Sequence, residues 1–154
     1  TGASREGVFL RDAYLGYAYL GYADLTDASL RDAYLGYANL TDASLRNAYL
    51  GGTDLTGADL SYADLSSAWL YSTNLDETNL SGANLSSAEY LGIALGRPYY
   101  DEETNFTNAW DEAVGGTLFD PVAAGWILVP EPSGTLLGLA ALSCVGLLAR
   151  RRAH

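Results

Sequence analysis

Ala13-Tyr14-Leu15-Gly16-Tyr17, Ala18-Tyr19-Leu20-Gly21-Tyr22 and Ala23-Asp24-Leu25-Thr26-Asp27 follow one another without a break and set the pattern of the chain. Leucine recurs at every fifth position from Leu10 to Leu85, sixteen times without a miss, and Tyr90 and Leu95 hold the phase a little longer. Two residues before each leucine from Leu15 onward stands a small residue, alanine in most units and threonine at Thr53, Thr73 and Thr78. Asp or Asn often sits directly before the leucine, at Asp24, Asn39, Asp54, Asp59, Asp64, Asn74, Asn79 and Asn84. The consensus is Ala-(Asp/Asn)-Leu-x-x.

A period of five suits neither regular structure. On a helix, five steps of about 100° would smear the leucines around the whole surface. On a flat strand, an odd period sends successive leucines to opposite faces. The leucines share one interior only if the chain turns once per unit, giving a coil with one short side per pentapeptide. Leucine then fills the axis, the small residue also points inward, and the other three positions face solvent. The number of sides stays open at this point. Leu10–Ala18 recurs identically at Leu30–Ala38, twenty residues on, which suggests four sides. Gly21–Leu35 recurs with two differences at Gly36–Leu50, fifteen residues on, which suggests three.

Composition restricts function. The formal net charge is −11, the basic residues are all arginines, and lysine is absent. Such a balance argues against nucleic-acid binding, which needs clustered cations to neutralise phosphates. The single cysteine, Cys144, permits no intrachain disulfide, and the single histidine, His154, is terminal. The usual general bases and nucleophiles are therefore missing. We expect no catalytic residues, no cofactor and no bound metal.

This pattern, from about Val8 to Glu89, resembles the pentapeptide-repeat family. The resemblance implies an all-β fold: a right-handed quadrilateral β-helix of about four coils. Leu15, Leu25, Leu35, Leu45, Leu55, Leu65, Leu75 and Leu85 are among its expected core residues. Some proteins of this family mimic DNA and bind type II topoisomerases, which requires rows of carboxylates along the rod. Here the acids are scattered over all sides and interrupted by Arg11, Arg31 and Arg46. With four sides, Phe9, Tyr49 and Trp69 fall on one face, a candidate aromatic surface for sugar rings. Tyr14 would stack on Tyr34, and Tyr17 on Tyr37. Such ladders also arise simply because aromatic residues suit β positions.

The phase fails after Leu91. We read residues 1–7 as a lead-in, 8–91 as the β-helix, 92–128 as an irregular cap and spacer, and 129–154 as a separate signal. Thr104-Asn105-Phe106-Thr107-Asn108 looks like one more unit, shifted by one residue. The signal has three parts: Val129-Pro130-Glu131-Pro132-Ser133, the uncharged run Gly134–Ala149, and the basic tail 150–154 opened by Arg150, Arg151 and Arg152. Two prolines keep the motif extended. The apolar run reads as a single, slightly short transmembrane helix. The arginines orient it with its end in the cytoplasm and everything before it outside. This tail resembles the PEP-CTERM signals of Gram-negative bacteria. That resemblance implies transient partners in the inner membrane and an exosortase, then delivery to the cell surface or an extracellular polysaccharide matrix. An exported chain needs a leader. The opening Thr1-Gly2-Ala3-Ser4 carries none, so we expect an N-terminally truncated fragment. The leading functional expectation is a non-enzymatic surface or matrix protein, structural or adhesive; the alternative is an acidic DNA mimic.

Overall fold

The structure, a computed structural model, describes residues 7–89, 96–107, 109–111, 117–118, 120–122 and 126–129. Its ladder joins residues twenty apart. Phe9 pairs with Ser29, Tyr14 with Tyr34, Tyr19 with Asn39 and Asp24 with Ser44, all in parallel, and the same step continues to Glu89. Four pentapeptides thus close one coil, so the twenty-residue recurrence reports the geometry and the fifteen-residue one does not. We number the sides by their first leucine: side 1 from Leu10, side 2 from Leu15, side 3 from Leu20 and side 4 from Leu25.

Each unit donates and accepts along the axis. Leu15 N–H donates to the Tyr34 carbonyl at 2.7 Å, Tyr34 N–H returns to the Ala13 carbonyl at 2.9 Å, and Tyr17 N–H donates to the Gly36 carbonyl at 3.0 Å. Neighbouring coils therefore satisfy backbone groups that no coil satisfies alone.

The axis is filled by the leucines. From Leu30 to Leu85 they are almost completely buried, and the alanines of the second inward position are too. Leu25 is buried, whereas Leu10, Leu15 and Leu20 in the first coil are only partly covered. Burial of each leucine stabilises by about 2 kcal/mol. Thr53, Thr73 and Thr78 occupy the alanine position and are fully buried. Their hydroxyls donate to the carbonyls of Leu30, Leu50 and Leu55 at 2.7, 2.7 and 2.8 Å. Each bond reaches one coil back along the axis, so the polar atom carries no desolvation penalty of an unpaired group.

The corners explain the period. Leucine, the next two residues and the following small residue form a turn, as in Ala13 N–H to Leu10 O at 3.1 Å. Its third residue has a positive φ at every corner from Asp12 to Ser87, the signature of a type II turn. Only Gly52, Gly57 and Gly82 meet this with glycine; Tyr17, Tyr22, Tyr37 and Tyr62 adopt it at φ of 58–61°. A left-handed L-residue costs about 1–2 kcal/mol, so each such tyrosine needs a compensating contact.

The ladder runs on past position 91. Asn79 pairs with Tyr99, and Asn84 with Asn105, a step of twenty-one. The extra residue is absorbed at Asp101–Thr104, where Asp101 Oδ1 accepts the N–H groups of Gly82, Glu103 and Thr104. Thr104 then takes the inward small position, its hydroxyl donating to Leu80 O at 3.0 Å. Aromatic residues replace leucine on the axis: Phe106 meets Tyr100 and Trp126 edge-on, with centroids 5.7 Å apart in both pairs. Four two-residue strands occur here: β1 Tyr99–Tyr100, β2 Trp110–Asp111, β3 Thr117–Leu118 and β4 Ile127–Leu128. β4 lies parallel on β1, and β2 and β3 are antiparallel. Among the described residues no helix is long and apolar enough to cross a membrane; the run 134–149 expected to do so lies outside them.

Candidate functional site

The outer surface is built from two kinds of unit. Where Asp or Asn precedes the leucine, its Oδ1 accepts the backbone N–H two residues on. All eight of Asp24, Asn39, Asp54, Asp59, Asp64, Asn74, Asn79 and Asn84 do so, at 3.0–3.1 Å. These Asx turns occupy the corner amide that the coil ladder leaves free. The residue after the leucine in these units is Thr, Ser or Asp. In other units an aromatic residue or serine precedes the leucine, and Gly, Arg or Tyr follows it.

The carboxylates are thereby engaged. Asn79 Nδ2 donates to Asp59 Oδ1 at 3.1 Å, and Asn84 Nδ2 to Asp64 Oδ1 at 3.0 Å. Asn47 Nδ2 donates to Asp27 Oδ1 at 3.0 Å. Arg11 approaches Asp12 at 3.6 Å and Asp32 at 3.3 Å, and Arg46 approaches Asp64 at 3.9 Å. These exposed pairs add little to stability. Among the described residues no group of three His, Cys, Asp or Glu side chains is placed to hold a metal ion.

The aromatic residues are the exposed feature. On side 1 the predicted surface divides: Tyr49 and Trp69 stack at 6.0 Å, but Ser29 lies between Phe9 and Tyr49. The denser array is on side 2 and its corner. Tyr14 stacks on Tyr34 at 4.7 Å and Tyr17 on Tyr37 at 5.3 Å, with ring planes 25° and 13° apart. Glycine makes room for it. A Cβ on Gly16 would stand 2.3 Å from Cε1 of Tyr34, and one on Gly36 would stand 2.7 Å from the Tyr34 hydroxyl. From Ala13 to Ala23 the chain carries no charge. Burial, then Tyr14, raises the pKa of the Tyr34 phenol. Tyr22 is raised by its hydrogen bond to Asp42. Tyr100 is raised by burial, with Asp120 adding to it.

Val129 is exposed and its N–H donates to Tyr100 O at 2.7 Å. The remaining sorting residues, Pro130, Glu131, Pro132 and Ser133, and the orienting Arg150, Arg151 and Arg152, lie outside the described residues. The stacked tyrosine pairs were legible once four sides were assumed. The Asx turns were visible as a pattern but not as a hydrogen-bonding device; their signal is the Ser, Thr or Asp two residues after each Asx.

A four-sided solenoid with a polar, aromatic exterior and a leucine axis defines a class of repeat protein. Residues 10–46, 38–76 and 63–89 match the family of pentapeptide repeats, in eight copies that together cover just over half of the chain. The chain belongs to the pentapeptide repeat family. Its coil sense is accordingly right-handed, and proteins of this family are generally structural or binding proteins. Among solved structures it is similar to HetL, a pentapeptide repeat protein involved in heterocyst differentiation regulation from the cyanobacterium Nostoc sp. strain PCC 7120. That match has 31% identity and a TM-score of 0.45, covering 67% of this chain and 55% of HetL. It is similar to Rfr23 from the cyanobacterium Cyanothece 51142, with 34% identity and a TM-score of 0.50, covering 60% of this chain and 58% of that one. It is also similar to alr5209 from Nostoc PCC 7120, with 34% identity and a TM-score of 0.48, covering 75% and 84%. The chain spans little more than half the length of the first two. No curated protein matches it.

Proposed function

We propose that the chain is a non-catalytic rod exported from a Gram-negative cell, sorted by an exosortase, and displayed at the surface or in an extracellular polysaccharide matrix as a structural or adhesive element. The observation that carries this reading is the order of Val129–Ser133, the uncharged run Gly134–Ala149 and Arg150–Arg152. Recognition, membrane arrest and orientation each have their own segment. The solenoid supports it: its carboxylates serve Asx turns and cross-coil ladders, not a site where an acid and a base converge. On sides 2, 3 and 4, Asp54 is followed down its column by Asn74, Asp59 by Asn79 and Asp64 by Asn84. That alternation suits a displayed scaffold better than the carboxylate rows of a DNA mimic. Tyr100, Phe106 and Trp126 act in this reading as the plug that shields the last coil, whose open strand edge would invite aggregation.

The test is sorting. In a host with the matching exosortase the protein appears outside, shortened at its C-terminus. Pro130→Ala, Glu131→Ala and Pro132→Ala together leave membrane insertion intact and abolish cleavage, so the full-length form accumulates in the inner membrane. Mass spectrometry of the released protein locates the C-terminus; a released form still ending at His154 overturns the reading.

A further inference from the structure

The tyrosine array on side 2 stands apart from any sorting role. Tyr14, Tyr17 and Tyr37 are 84%, 74% and 49% exposed, yet each is held ring to ring against a tyrosine of the adjacent coil. One face of each ring is used on its partner. What the arrangement offers is two adjacent phenols at a fixed separation, open to a solution reagent. Two of the usual competitors for oxidants are scarce: the chain has no methionine, and its one cysteine is Cys144, far along the sequence.

We propose that Tyr14–Tyr34 and Tyr17–Tyr37 are sites of oxidative dityrosine coupling, which staples the first coil to the second. The co-reactant is a one-electron oxidant such as a haem peroxidase fed with hydrogen peroxide. Each phenol loses one electron and its hydroxyl proton. The two phenoxyl radicals join through a new carbon–carbon bond between ring carbons ortho to the oxygens. The hydrogens on those carbons return to the oxygens as the rings regain aromaticity. The pair gives up two electrons and two protons in all, and one peroxide becomes two waters. Stacked rings at 4.7 and 5.3 Å need only a side-chain rotation to bring ortho carbons together. Tyr19 is equally exposed, but it bridges Asn39 and has no phenol in the next coil, so it serves as an internal control. This inference rests on the solenoid alone and is independent of export.

Trypsin makes the test direct, because Arg31 lies between the paired residues. The dilute full chain, with Cys144 alkylated, is treated with peroxidase and hydrogen peroxide and digested. The expected product is Asp12–Arg31 joined to Asp32–Arg46, lighter than their sum by two hydrogens for each link formed, from a protein that still migrates as a monomer. Tyr34→Phe combined with Tyr37→Phe keeps the rings and loses the joined peptide, while oxidation at Tyr19 persists. Each single variant loses only its own link in fragment spectra. The same treatment in urea loses the preference. Equal yields from wild type and the double variant, a joined peptide that persists in urea, or links formed only between molecules would each overturn the proposal.

Discussion

The ring of Tyr37 lies against Gly57, twenty residues on, so closely that a Cβ there would stand 2.4 Å from Cε1. Tyr62 covers Gly82 in the same way, and the Asp32 carboxylate covers Gly52. Each is a corner residue leaning onto the corner of the next coil. The contact offsets the left-handed conformation of the tyrosine, and glycine beneath it adopts the same corner at φ of 64–73° without that cost.

Gly57→Ala therefore carries two penalties, a left-handed alanine and a collision with the Tyr37 ring. We expect a loss of about 1–3 kcal/mol by chemical denaturation. Tyr37→Ala in the same chain removes the collision, so the double variant is more stable than the sum of the singles requires. Strict additivity would show that ring and glycine do not communicate.

Leucine truncation should depend on depth along the rod. Leu45 is 1% exposed at mid-rod, whereas Leu15 is only partly buried in the first coil. Leu45→Ala should cost about 2–5 kcal/mol, and Leu15→Ala clearly less. Leu45→Asp should unfold the neighbouring coils, since it puts an unpaired charge on the axis. Unchanged melting of that variant by circular dichroism would refute an inward leucine.

Polar side chains should separate by their alternatives. Asp59 Oδ1 accepts from the Ser61 amide, the Ser61 hydroxyl and Asn79 Nδ2. Asp59→Ala leaves all three to find water and should cost about 1 kcal/mol. Thr73→Val should change stability by less than about 1 kcal/mol, because the Leu50 carbonyl still receives the Thr53 backbone N–H. Equal losses from the two would contradict this assignment.

Alkaline titration tests one corner. Asp42 raises the Tyr22 pKa first through a hydrogen bond and then through its charge. The folded chain thus holds that proton more tightly than the unfolded one. The contribution is fully present below the ordinary tyrosine value of about 10 and is lost as pH rises through the folded value. Asp42→Asn should lower the Tyr22 pKa, read by NMR of labelled tyrosine. An unmoved titration curve would sink the pairing.

The leucine period alone established a coil, because no helix or flat strand places Leu10 through Leu85 in one interior. It did not establish the side count. Two internal copies with offsets of twenty and fifteen gave conflicting signals, and the twenty-residue bridges, such as Tyr14 to Tyr34, separate them. The shifted unit at Thr104–Asn108 was legible because its residue types repeat the grammar; the structure absorbs its extra residue in the Asp101 turn. Left-handed tyrosines were not legible, because bulky residues ordinarily avoid that conformation. The column of Phe9, Ser29, Tyr49 and Trp69 was legible from the twenty-residue step, and the bridges join those residues in that order.

The fifteen-residue copy has one more meaning on a four-sided rod. Copying three units onto a four-unit turn carries every surface residue a quarter-turn round the axis. Ser29 on side 1 reappears as Ser44 on side 4, Arg31 as Arg46, and Tyr34 on side 2 as Tyr49 on side 1. Every copy still delivers a leucine to the axis, so the interior registers no change. Such a molecule can re-index its exterior like a dial, trying an old ring beside new neighbours at each duplication. In the stack of Tyr49 on Trp69, the fifteen-residue counterpart of the side 2 Tyr34 meets a larger partner on another face.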